Sequence, residues 1–308
     1  MSIQNNDMIS AGPLWRALLV PLAGALMTLG AVTAFGAISI PTVTVGDAGN
    51  KADTTGYGSV SYEYQIGKYE VTNSQYAAFL NAVAVTDTYG LYNTNMGSQV
   101  YGGITRSGSA GSYSYDVKAG YDLKPVNYVS FYDAARFANW LTSGETETGL
   151  YTFSGATTIT SNPDHATSSG WAIASEDEWY KAAYYNGDGT YRTNPVTGTL
   201  SQSTANYYNG GYAFSSPYLT EVDHYDLVSG AGSYYGTYQQ GGNVWEWNDT
   251  IISGTARGVR GGSFSDNGSG LASSARDNFA PASSTTSSVF VSCRCPALTA
   301  PKCPSRMI

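Results

Sequence analysis

One stretch, Gly241-Gly242-Asn243-Val244-Trp245-Glu246-Trp247, constrains the chain more than any other. Period-2 alternation places Val244 and Glu246 on one face of a strand and sends Trp245 and Trp247 together into a core on the other. Glu246 is the odd member. A carboxylate so close to two large aromatics needs an arginine, a set of backbone N–H groups or a metal ion. The preceding glycines permit positive φ or close backbone approach, which leaves main-chain carbonyls free to converge on a common centre. A hard cation such as calcium takes carbonyl and carboxylate oxygens together. The alternative is a tight turn and a core strand, with Glu246 paired to the arginine of Arg260-Gly261-Gly262-Ser263-Phe264 downstream. On pattern alone the ion pair is the commoner arrangement.

The rest of the chain narrows the class. Of 308 residues, 42% are hydrophobic, enough for a sizeable core, while 12% are charged and 26 are tyrosine. Few charges, many tyrosines and 36 glycines describe a loop-rich domain in which Tyr supplies packing and a polar tip at once. A net charge of −8 with no basic run excludes a nucleic-acid surface. Residues 17–40 carry no charge, Arg16 stands just before them, and Ala34-Phe35-Gly36 puts small residues before a cleavage point at Ala37. Residues 1–36 therefore read as a signal peptide, which implies export to the periplasm, the exterior or the cell surface. The apolar run is also long enough to anchor the chain in a membrane if left uncut, although Pro21 and the Ala/Gly content favour cleavage. All three cysteines, Cys293, Cys295 and Cys303, fall in the last 16 residues, so the body of the domain is not stapled by disulfides. Cys293-Arg294-Cys295 is too tight for a zinc pair.

Three helices announce themselves by the same device. Thr72 to Gln75, Ser130 to Asp133 and Ser175 to Glu178 are capping boxes, each followed by apolar residues at helical spacing. Residues 37–59 read as a polar lead-in, Val60 to Tyr69 as one or two strands, and 86–124 as a long loop that wraps the domain or builds a surface. From Thr190 to Tyr238 the chain is rich in Tyr, Gly and Ser without period. Short helices early, strands late and long irregular connections give an α+β domain low in regular structure.

GGNVWEW answered by RGGSF resembles the sulfatase-modifying-factor family, whose founding activity is the formylglycine-generating enzyme. Earlier segments fit in the same order: Tyr64 to Thr72 (YQIGKYEVT), Pro125 to Ser130 (PVNYVS) and Ser175 to Trp179 (SEDEW), so the likeness spans residues 60–291. It implies a C-type-lectin-like variant with much coil, often stabilised by calcium. Carried over, the calcium ligands are the carbonyls of Gly242 and Val244, the side chain of Glu246, and Gln239 where the family often has Asn or Asp. Glutamine offers an oxygen without charge, so weaker binding is expected. A second family site uses an Asn after an alanine, here Asn206 in Ala205-Asn206-Tyr207. The founding reaction uses a cysteine pair just after RGGSF to hold copper. Ser265 to Arg276 contains no cysteine, and Gly268 and Ser273 stand near the expected positions. A serine hydroxyl cannot replace a thiolate as a copper(I) ligand, so no copper and no catalytic residue are expected.

The end of the chain departs from the family pattern. Where a Gly-Phe-Arg-Val strand is expected, Ser288-Val289-Phe290-Val291-Ser292 stands, and one reverse translation of it, TCG-GTT-TTC-GTG-TC, encodes Gly-Phe-Arg-Val when read from its third base. The tail 292–308, with all three cysteines, is thus expected to be a frameshift product. Other chemistries find little support. His165 and His224 lack neighbours at ligand spacing and read as loop histidines, and RGGSF is not a nucleophile elbow. Glu176, Asp177 and Glu178 are accounted for by capping and the helix dipole. Two readings remain: a non-catalytic binding or structural module for a protein, peptide or glycan, or an oxidoreductase of the formylglycine-generating type or another metal-dependent enzyme working in the same pocket.

Overall fold

The computed structural model describes residues 38–284 and the backbone of 287–289 and 291–294. Residues 1–37, which include the expected signal peptide, and Cys295 and Cys303 lie outside the described residues. In chain order the elements are β1 (Thr42–Val45), β2 (Tyr64–Gly67), α1 (Asn73–Val83), α2 (Asn95–Ser98), β3 (Ile104–Ser107), β4 (Ser114–Val117), α3 (Phe131–Ser143), β5 (Thr152–Phe153), β6 (Ile159–Ser161), β7 (Gly170–Ile173), α4 (Glu176–Tyr184), β8 (Trp245–Ser253), β9 (Ala256–Arg260), β10 (Asp277–Phe279), β11 (Ser287–Val289) and β12 (Val291–Arg294). Long coil separates them, and the longest stretch runs between α4 and β8.

All three capping boxes are present. Thr72, Ser130 and Ser175 each accept from the backbone N–H three residues on, and Gln75, Asp133 and Glu178 reach back to the cap backbone. The apolar faces these helices present are aromatic. Phe79 of α1 meets Phe137 and Trp140 of α3 with ring centroids 5.4 and 5.3 Å apart, the first pair edge to face.

Two four-stranded sheets organise the rest, one in the order β1-β2-β12-β7 and the other β10-β9-β8-β11. Two findings move the boundaries expected from sequence. The lead-in contributes β1, which pairs with β2 from Thr42↔Gly67 to Val45↔Tyr64, and Val45 is fully buried. At the other end β12 runs antiparallel between β2 and β7, with the Cys293 backbone opposite Gln65 and Trp171. Cys293 is therefore on the strand that closes the first sheet and not beyond it. The loop at 86–124 is also less irregular than its composition implies, since it holds α2 and the β3–β4 hairpin.

β8 carries the organising stretch. Trp247 is completely buried, donates its indole N–H to the Val129 carbonyl at 3.0 Å, and meets Phe131 and Phe279 edge to face. Trp245 shares that face and packs on the same core but is only half-buried. It is the first residue of the strand and is not enclosed from both sides as Trp247 is. Val244 and Glu246 are both fully buried, so this end of β8 is covered on either face.

Candidate functional site

Backbone packing builds the site before any side chain does. Gly242 has φ +88°, and a Cβ there would lie 2.2 Å from the Asn206 carbonyl oxygen. Gly261 has φ +93° and would place a Cβ 2.5 Å from the Gln240 carbonyl oxygen. Only glycine fits either place, so three chain segments meet main chain to main chain.

Asn243, itself at φ +56° and fully buried, pins them together. Its N–H donates to the Asn206 carbonyl at 2.7 Å, and its carbonyl accepts from Phe264 N–H at 2.9 Å. Its side-chain oxygen accepts from Asn206 Nδ2 at 3.0 Å and Thr220 N–H at 3.1 Å. Its Nδ2 donates to Glu70 Oε2 at 2.9 Å. Asn206, whose role sequence tied to a second metal site, is thus part of the same hub.

Glu70 and Glu246 are the chemically unusual pair. Both are essentially inaccessible to solvent, and the Oε1 atom of each has no hydrogen-bond partner. Glu246 receives the Trp179 indole N–H at 2.5 Å. Burial pushes its carboxyl well above the usual carboxylate range, the Glu70 charge pushes it further, and Trp179 only partly offsets them. Burial likewise raises Glu70 against the hydrogen bonds from Asn243 and the Val244 backbone.

The expected Glu246–Arg260 ion pair is not formed, although the two residues are register partners across β8 and β9. Arg260 is drawn instead to Glu176, with Nε and Nη2 both 2.7 Å from Oε1, and Arg276 completes that pair at 2.6 Å. Glu176, read from sequence as a helix-start carboxylate, is thereby the counter-ion for two arginines. The Glu70–Glu246 pair is left without a cationic side chain among the causes of either shift.

The other sequence-nominated oxygens lie in the same part of the chain. Gln239 is buried at φ +58°, donates Nε2 to the Glu221 carbonyl at 2.7 Å, and leaves Oε1 unpartnered. Asn206 Oδ1 is also unpartnered. Two uncompensated carboxylates with orphaned oxygens and orphaned amide oxygens nearby in the chain are a donor set that suits a hard divalent cation. Glu70 was missed as a member. Its signal was a carboxylate inside the apolar run Tyr69-Glu70-Val71, but its partner Asn243 is 173 residues away.

Over this hub lies an aromatic surface. Tyr208 and Tyr212 are 38% and 47% exposed on the loop 207–218. Tyr212 stacks on Tyr218 at 4.1 Å, Tyr218 on Phe264 at 5.9 Å, and Tyr101 closes against Phe264 at 5.2 Å. The loop is tied down at both ends: Tyr208 N–H donates to the Asp266 carbonyl at 2.8 Å, and Asn206 Nδ2 to the Tyr218 carbonyl at 2.8 Å. Ser263 and Phe264 of the RGGSF segment thus serve the turn and the stack, with Ser263 Oγ donating to Asp266 at 2.6 Å.

The segment expected to hold thiols adjoins this loop. Gly268 opens a short 3-10 turn, and a Cβ there would meet Leu200 at 3.3 Å and Tyr207 at 3.5 Å. Ser273 is nearly buried, its N–H bound to the Thr193 carbonyl and its carbonyl to Arg260.

His165 is more than a loop residue. Its Nδ1 sits 2.9 Å from Glu178 and its Nε2 3.3 Å from Asp249, which Arg257 also grips. Burial would lower its pKa, but the two carboxylates prevail and raise it to about 10. It acts as a charged clamp between the α4 cap and β8.

The sulfatase-modifying factor enzyme 1-like domain model matches residues 41–291, and the chain belongs to that family. Among solved structures, CarF is similar at 23% identity and TM-score 0.58, covering 84% of this chain and 99% of its own. Treponema denticola variable protein 1 is similar at 20% identity and TM-score 0.55, covering 84% and 98%. At those identities the likeness concerns the fold, which is the α+β architecture of this family. No curated protein matches in sequence.

Proposed function

We propose that this is an exported member of the family that binds a partner through the aromatic loop 207–218 and does not generate formylglycine. The observation that carries the reading is the pairing of two features on adjoining segments. Residues 265–276 offer no thiolate, and the loop above them displays stacked, partly exposed tyrosines on a pinned backbone. Tyr, Ser, Gly and Asn make up most of that loop, the composition of adaptable contact surfaces with rigid aromatic anchors. The partner is a protein, a peptide or a glycan.

Calcium is the brace of this surface. Gln239 and Glu246 by side chain and Gly242 and Val244 by carbonyl would hold it, with Glu70 as a further carboxylate, and Asn206 would serve a second ion. When bound, the ion would supply positive charge to two buried carboxylates that have no cationic side chain among the causes of their shifts. Because Asn243 joins Glu70 to Asn206, the brace and the loop share one hydrogen-bond hub.

The test is capture. Immobilised mature domain, in calcium and in chelator, is probed with glycan arrays, peptide libraries and cell-envelope fractions. A ligand retained by the native domain and lost by more than tenfold in Tyr212→Ala supports the reading. Retention unchanged in Tyr212→Ala and in Tyr208→Ala would place binding elsewhere.

A further inference from the structure

Asp133, a buried residue, lines a cavity of about 180 Å3 that shares no residue with the hub or the aromatic loop. Tyr89, Asn93, Ser130, Tyr132, Thr157 and Ser284 line it beside Asp133. Asp133 belongs to the first turn of α3, and its Oδ2 is occupied by the capping box, accepting from Ser130 N–H at 3.0 Å and Ser130 Oγ at 2.6 Å. Its Oδ1 accepts no hydrogen bond from a described residue. Neither do the Tyr89 and Tyr132 phenols or the Thr157 hydroxyl bond a described residue. Four residues that line one space thus have polar groups with capacity open among the described residues.

The lining decides the ligand class. Among the described residues no cationic side chain lines the cavity. The guanidinium of Arg136, which stacks on Tyr89 at 4.6 Å, is held by Glu147 at 2.6 and 3.0 Å and by the carbonyls of Gly155 and Ala156. The Arg136 charge is felt at Asp133 but is taken up by Glu147, so an anionic ligand would meet a carboxylate and no free cation. A simple cation would satisfy Asp133 but leave the hydroxyls idle and face the positive end of the α3 dipole. A neutral polyol matches every group: its hydroxyls donate to the carboxylate, exchange bonds with amphoteric hydroxyls, and its C–H face rests on tyrosine. The volume is that of roughly six waters at ~30 Å3 each, which is the scale of one pyranose ring.

We propose that this cavity binds one neutral hexose unit, with Asp133 Oδ1 as its principal acceptor. The site is independent of the loop 207–218 and stands or falls separately from it.

The experiment is saturation-transfer NMR on the mature domain with the methyl glycosides of glucose, galactose, mannose and N-acetylglucosamine, and methylammonium as the cationic control. At least one glycoside should saturate with Kd on the order of millimolar, as a single-sugar site does. Ala156→Trp, at an exposed position on the cavity wall, should abolish binding, and Asp133→Asn should weaken it at least tenfold. Tyr212→Ala should leave it unchanged, which separates this site from the loop. Because Asp133 also caps α3, a melting curve accompanies that variant, and Ala156→Trp decides if it fails to fold. No saturable glycoside, preference for methylammonium, or full binding in Ala156→Trp would each overturn the proposal.

Discussion

Gly242 and His165 show how single residues set the terms here. At Gly242 an added methyl would collide with the Asn206 carbonyl and hold an unfavourable φ, so Gly242→Ala should cost about 3 kcal/mol or more. Gly210 also has positive φ (+73°) but has nothing within 4 Å of the same Cβ, so Gly210→Ala should cost only about 1 kcal/mol. Urea denaturation of the two variants separates collision from backbone strain, and equal losses would contradict the packing described. His165 makes a pH prediction. An unfolded imidazole titrates near 6.5 and the folded one near 10. Because the folded value is the higher, its contribution is complete below pH 6.5 and is lost as pH rises through 10. His165→Gln should therefore lower stability at pH 6 and flatten the decline between pH 6.5 and 10. An unaltered pH profile would show that the clamp carries no charge.

Helices and strands differ in how much of them could be read. Each helix start is a local hydrogen-bonded device four residues long, so Thr72, Ser130 and Ser175 could be identified without knowing what the helix packs on. Ser175→Ala should cost about 1 kcal/mol in a melting experiment, and no loss would mean that Glu178 alone holds the α4 start. Strand pairing was not legible in the same way. β1 is four residues within a polar lead-in, and it becomes a strand only because β2 supplies its partner. The same holds for β12 between β2 and β7, where register joins Ser292 to Ile66, more than two hundred residues away, and Val291 to Ile173. In the candidate site the motif residues Gly242, Asn243 and Glu246 could be named from sequence, since glycines and a carboxylate among tryptophans are anomalous wherever they occur. Glu70, and the preference of Arg260 for Glu176 over Glu246, could not, because both follow from three-dimensional competition for partners. Trp245 was over-read: alternation assigns a face but does not say whether the strand's first residue is enclosed.

At the scale of the whole molecule, the fold keeps the family architecture, while residues 265–276, where the resemblance places the thiol pair, hold no cysteine. The proposed calcium brace predicts that saturating calcium raises the melting temperature. At a hundredfold excess over Kd the linkage is about 2.7 kcal/mol, and Glu246→Gln should remove most of it. Identical melting in calcium and in chelator would contradict the brace while leaving the binding loop untouched. The central claim, that this domain binds and does not oxidise, is tested most directly by mass spectrometry. A sulfatase-type peptide containing cysteine is incubated with the mature domain, copper, oxygen and reductant. The account predicts that the peptide mass is unchanged, because residues 265–276 hold no thiolate to bind copper(I). A mass loss matching conversion of the thiol to an aldehyde, dependent on the protein and abolished by Cys293→Ser, would contradict it.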